Sequence, residues 1–148
     1  MLRRTSPPVG PRPAESRTDE QVHAKLQMAM DELGADTALL TEVRGGREHI
    51  RWQAGVGPYQ GRAVPLSDTI CDRLLNGQID SVVPDVQAEP SLRGVQAGEV
   101  RAYIGVPFTT ADARAYVLCC LAHEVRPDLG EADVRFLQGL VESLRPVL

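Results

Sequence analysis

Apolar residues recur at Val22, Leu26, Ala29, Met30 and Leu33, the stripe of an amphipathic helix that buries one face. Thr18 sits where an N-cap is wanted, Gln21 follows three residues later as the return half of a capping box, and Gly34 supplies a stop. Residues 37–43 are rich in aliphatic and β-branched side chains, Gly45-Gly46 suits a tight turn, and Ile50, Trp52, Ala54 and Val56 then alternate with polar or small neighbours. This predicts a hairpin, with Ile50, Trp52 and Val56 on one face. Gly57-Pro58-Tyr59-Gln60-Gly61 reads as a loop.

Ser67 is placed to cap a short helix over 68–75 that ends at Asn76-Gly77. Residues 80–83 read as a short strand closed by Pro84-Asp85, and 86–101 as a short helix from Pro90 followed by a mobile loop. Ala102, Ile104, Val106 and Phe108 alternate in a further strand, where Pro107 implies an edge or interrupted pairing. Residues 114–124 form an apolar strand buried on both faces. A last helix opens at Asp128, with Glu131 at the capping-box position and Val134, Leu137, Leu140, Val141 and Leu144 on one stripe. The fold class is therefore α+β around one central sheet.

Composition and charge narrow the function. The chain has 148 residues, one domain's worth, with formal net charge −4, which disfavours nucleic acid as a partner. Residues 1–17 hold Pro7, Pro8, Pro11, Pro13 and four arginines with almost nothing apolar to bury, and are expected to be a disordered tail ahead of a domain over 18–148. Pro8-Val9-Gly10-Pro11 fits a polyproline ligand in spacing, but a plain tail accounts for it better. No apolar run approaches the roughly 18 residues that span a bilayer, and Met1-Leu2-Arg3-Arg4 lacks an apolar stretch behind it, so a cytoplasmic chain without a membrane partner is expected. The three cysteines form no CxxC, and His23, His49 and His123 stand at no metal-ligand spacing. Cys119 and Cys120 are strand neighbours and should face opposite ways.

Four segments in register resemble a GAF domain: Val83-Pro84-Asp85-Val86, Tyr103-Ile104-Gly105-Val106-Pro107-Phe108, Leu118-Cys119, and residues 129–137. The resemblance implies a GAF-like central antiparallel sheet of five to six strands, with terminal helices on one face and a loop- and helix-covered pocket on the other. The nearest flavour is the sensor module that precedes EAL (cyclic di-GMP phosphodiesterase) domains in actinobacteria. It implies a non-catalytic sensory or regulatory domain with a small-molecule ligand and no assigned cofactor. A homodimer is expected through the stripes of the N- and C-terminal helices. Val147-Leu148 falls where the last helical pattern is barely finished, so a downstream output domain is expected.

Candidate ligand residues are Trp52, Tyr59, Cys71, Arg101, Tyr103, Phe108 and Tyr116. The family commonly has Gly-Thr before Leu-Cys where this chain has Tyr116-Val117, so the Tyr116 ring either fills the pocket or faces away. A filled pocket would make the chain a structural dimerisation module. For a phosphate-bearing ligand, the candidates are Arg93, Arg101 and the amides after Ser67. The chain also resembles the free methionine-(R)-sulfoxide reductases in Gly57-Pro58-Tyr59-Gln60-Gly61 and Val83-Pro84-Asp85-Val86. Their chemistry needs an attacking and a resolving thiol, but this chain has Arg62-Ala63-Val64 and Gly94-Val95-Gln96-Ala97 where those reductases carry cysteines. Only Cys71 falls near a family cysteine. Residues 86–101 contain neither the cysteine nor the histidine of a bilin attachment site.

Overall fold

The structure is a computed structural model that describes residues 13–148. Of the expected tail, residues 1–12 lie outside the described residues, and 13–17 belong to a helix. Helix α1 spans Pro13–Leu33, so Thr18 lies within it and is not its cap. Proline at the first helical position has no N–H to leave unpaired, which suits the start. Val22, Leu26, Ala29 and Leu33 are buried as the stripe requires. At the other end, the Arg126 guanidinium donates to the carbonyls of Leu33 and Gly34 at 2.7 and 3.1 Å, satisfying acceptors that the helix leaves open.

Strands β1 (Thr37–Arg44) and β2 (Arg47–Gly55) form the expected hairpin. Both turn glycines take positive φ, 60° at Gly45 and 72° at Gly46, as a tight two-residue turn demands. The strand β3 (Ala63–Pro65) is an addition that sequence patterning missed, being only three residues long. Helix α2 (Ile70–Leu75) is capped by Thr69, whose hydroxyl accepts from the Asp72 N–H at 3.1 Å; Ser67 instead lies in a single 3₁₀ turn over Leu66–Asp68. Strand β4 is confined to Val82–Val83, and residues 86–101 hold two 3₁₀ turns, Val86–Ala88 and Pro90–Leu92, in place of the expected helix. Strands β5 (Ala102–Thr109) and β6 (Ala115–Ala122) follow the expected pattern. Helix α3 spans Glu131–Leu144. It starts at Gly130, whose N–H donates to Asp133 at 2.9 Å, while Asp128 pairs with Arg126 and caps nothing.

The six strands form one antiparallel sheet in the order β3-β2-β1-β6-β5-β4. Pro107 sits on β5 beyond the two residues that β4 pairs, where its missing N–H faces no strand. Each face carries its own core. On one face α1 and α3 cover Ala38, Leu40, Ile104, Val106, Phe108, Leu118 and Cys120. On the other, α2 and the turns of residues 79–100 cover Leu39, Ile50, Tyr103, Val117, Cys119 and Leu121. Cys119 and Cys120 thus face opposite ways, as neighbours on a strand must.

The stripes expected to pair two copies are consumed within the protomer. Val22 and Leu26 on α1, and Leu137 and Leu144 on α3, have no exposed surface, because both helices lay those stripes on their own sheet. Their outward positions, such as Gln27, Gln138 and Glu142, are mostly polar. Among the described residues no helix is long and apolar enough to cross a membrane.

Candidate functional site

The second face of the sheet is not fully packed. A cavity of about 350 Å³ lies between β1, β2, β5 and β6 below and the segments 59–71 and 95–100 above. This cover is built from short pieces. The loop that presents Tyr59 is organised by one side chain, Gln53. Its amide nitrogen donates to the carbonyls of Gly55 and Gly57, and its Oε1 accepts from the N–H groups of Tyr59 and Gln60 at 3.2 and 2.9 Å. Gly57 has φ 116°, and a Cβ there would collide with the Tyr59 ring, so glycine is required for the ring to fold back over the cavity.

The floor is polar. Glu48, Cys71, Tyr103 and Cys119 line the cavity, and all four are buried. Tyr103 lies flat over Gly105, where any Cβ would strike its hydroxyl, and that hydroxyl meets the Cys71 Sγ at 3.3 Å. Burial pushes the Tyr103 phenol well above its ordinary pKa, and the neighbouring Cys71 and Cys119 sulfurs add to the rise. The Cys119 thiol is raised by its hydrogen bond with Cys71 and by burial, and on the other face burial alone pushes Cys120 up to about 12. These two thiols stay protonated at neutral pH and are poor nucleophiles. The Glu48 carboxyl is also raised above 4.5, by a burial penalty that outweighs the neighbouring Cys71 and Thr69.

Of the residues picked from the sequence, Tyr59, Cys71 and Tyr103 come together around this cavity. Trp52, Phe108 and Tyr116 do not: all three belong to the core under α1 and α3. For Trp52 the reason is a β-bulge. Leu40 faces Trp52 while Thr41 faces Ile50, so Arg51 is an extra residue that reverses the alternation, and Ile50 and Trp52 point to opposite faces. The indole N–H then donates to Asp19 of α1 at 2.8 Å, and the Arg51 guanidinium stacks on the indole ring. Val56, expected beside Ile50, is 56% exposed. The Tyr116 ring stacks on Phe108 at 5.6 Å and its hydroxyl accepts from Arg114, so the tyrosine that replaces the usual glycine faces away and leaves the cavity open.

Arg101 lies outside the cavity, donating to the Gly98 and Val100 carbonyls of its own loop. Arg93 lines the same outer groove as Arg101, and the Thr69 and Asp72 amides after Ser67 are already bonded to Leu66 O and Thr69 Oγ1. The cation at the cavity is Arg62, exposed at the mouth with Asp68. Glu48, Arg62, Thr69 and Cys119 are lining residues that sequence reasoning did not select. The signal for Glu48 was present: it shares strand parity with the inward Ile50, so a charge stands at an inward position. Among the described residues no cluster of three or more His, Cys, Asp or Glu could hold a metal.

No protein-family profile matches the sequence, and no curated protein matches it. Solved structures do match over nearly the whole chain. The GAF domain of an Acinetobacter phosphoenolpyruvate-protein phosphotransferase is 15% identical over 93% of both chains, with a TM-score of 0.68. A type II free methionine-R-sulfoxide reductase from Thermoplasma acidophilum is 14% identical over 90% of this chain and 94% of its own, with a TM-score of 0.71. The GAF-B domain of DevS from Mycobacterium smegmatis is 16% identical over 88% of this chain and 91% of its own, with a TM-score of 0.65. The fold is that of a GAF domain.

Proposed function

We propose that this chain is a non-catalytic sensory or regulatory domain that binds a small molecule in the cavity between the sheet and the segments 59–71 and 95–100. The cavity itself carries this reading. It is within the volume range of small-molecule sites, its walls are apolar, and a few polar groups converge on its floor. Its cover consists of loops, a single 3₁₀ turn and the start of a six-residue helix, pieces too short to hold their shape without packing, so a ligand that touches them can select among their arrangements. Native mass spectrometry of freshly purified protein, with an absorption spectrum of the same sample, tests it. A bound mass or a visible band is expected; a clean apoprotein that also fails to take up any small probe would overturn it.

A second reading, a thiol-dependent reductase, is favoured by one observation: Cys71 and Cys119 both line the cavity. The segments where the reductase family carries its cysteines also line it, but as Arg62, Val64 and Val95 to Ala97. No thiol-dependent turnover of free methionine sulfoxide is therefore expected, and measurable turnover would replace the sensory reading. Pairing of two copies through the outer faces of α1 and α3, and control of an output domain elsewhere in a signalling protein, are further parts of the proposal that rest on the resemblance to sensor GAF modules.

A further inference from the structure

Glu48 is 5% exposed, it lines the cavity, and its Oε1 has no hydrogen-bond partner. A buried carboxyl oxygen without a donor is costly, so the position calls for one. The surrounding side chains leave Oε1 without one. The Thr69 hydroxyl donates its proton to the Leu66 carbonyl at 2.7 Å. The Cys71 thiol lies close enough to Glu48 to draw its pKa down and also meets the Tyr103 hydroxyl at 3.3 Å, but this single weak S–H leaves Oε1 unpartnered. The other charged residues of the cavity, Arg62 and Asp68, are opposite in sign and exposed at the mouth, leaving Glu48 as the buried charge. A polar acid at the bottom of an apolar-walled space is complementary to a donor-bearing, positively charged group on an apolar body.

We propose that Glu48 is the anchor of the cavity, and that its occupant belongs to the amine or amidine class, placing an N–H donor on the Glu48 carboxyl and an apolar or aromatic body against Leu39, Ile50 and Leu121. This rests on the ligand-binding reading above and names the chemistry of its ligand.

The test is NMR titration of the full chain with benzylamine and benzamidine, using benzyl alcohol and benzoate as matched controls. Benzylamine and benzamidine should bind at least about tenfold more tightly than the controls, a difference of roughly 1.4 kcal/mol. Glu48→Gln should weaken amine binding by a similar factor and leave benzyl alcohol unchanged. If Glu48→Gln does not fold, as judged by circular dichroism, Ala97→Phe serves instead. It fills the cavity from its cover with Glu48 intact and should abolish amine binding. If the alcohol or benzoate binds as well as the amines, or folded Glu48→Gln binds benzylamine undiminished, the amine class is wrong while the ligand-binding reading stands. If no probe binds and the purified protein carries no extra mass, a buried water is the donor to Glu48 and both readings fail.

Discussion

On the helix face of the sheet, Leu26, Leu40, Leu118, Leu137 and Leu144 are fully enclosed, and the polar atoms that enter this core have partners: the Trp52 indole on Asp19, the Tyr116 hydroxyl on Arg114. On the opposite face a carboxyl, a phenol and two thiols surround open space, beneath loops, a single 3₁₀ turn and a six-residue helix. The same six strands supply both faces, so the difference lies in what covers them. Long helices with continuous stripes close a core; short capped segments leave room. The sheet thus separates a closed side from an open one, with the helices holding the domain together while the other side keeps a costly, unsatisfied group.

The largest effect should follow from charging the helix face. Leu137→Glu with Leu144→Glu places two unpaired charges where no surface is exposed. Each costs on the order of 3–5 kcal/mol, so the pair removes most of a typical domain's roughly 5–15 kcal/mol. We expect loss of a cooperative thermal transition in circular dichroism, not a folded monomer released from a dimer. A smaller effect on the same face is expected from Trp52→Phe, which strips Asp19 of its donor and trims the buried ring. It should cost about 1.5–3 kcal/mol in a denaturant titration.

On the cavity face, Gly57→Ala forces a side chain at φ 116° into the Tyr59 ring. About 1–2 kcal/mol of destabilisation is expected, together with a shift of the Tyr59 ring resonances; an unmoved ring would remove Gln53 and Gly57 as the organisers of this loop. The smallest effect carries the opposite sign. The Glu48 carboxyl holds its proton more tightly when folded than when unfolded. Its contribution is thus fully present below the ordinary value of 4.5 and is lost as pH rises through the raised folded value. Glu48→Gln should be more stable than the parent at pH 8, with the gap closing as pH falls toward 4.5. A gap that widens in acid would show that Glu48 is stabilised as a carboxylate.

Much of the helix face was legible because its signals are periodic. The stripes of α1 and α3, the Gly45-Gly46 hairpin and the alternation of Ile104, Val106 and Phe108 each follow from spacing alone. The boundaries that failed are those where two neighbouring residues can both cap: Thr69 outcompetes Ser67, and Gly130 with Asp133 outcompetes Asp128 with Glu131. The cavity was half legible. Tyr59, Cys71 and Tyr103 lie on it, but Trp52 was assigned to the wrong face because period-two counting cannot see one extra residue. Arg101 was picked for its charge, and only the fold shows that its own loop carbonyls take that charge up.

The extra residue at Arg51 has a consequence for how such a chain can vary. It lets a single strand speak to both sides of the sheet: Glu48 and Ile50 belong to the cavity, Trp52 and Ala54 to the helix core. Losing one codon there would restore strict alternation and exchange the two vocabularies, turning either an indole into the cavity or a carboxylate beneath α1. Point substitutions can retune the cavity one position at a time, but insertions and deletions in β2 are closed to it, so diversification should concentrate in the loops on either side of that strand.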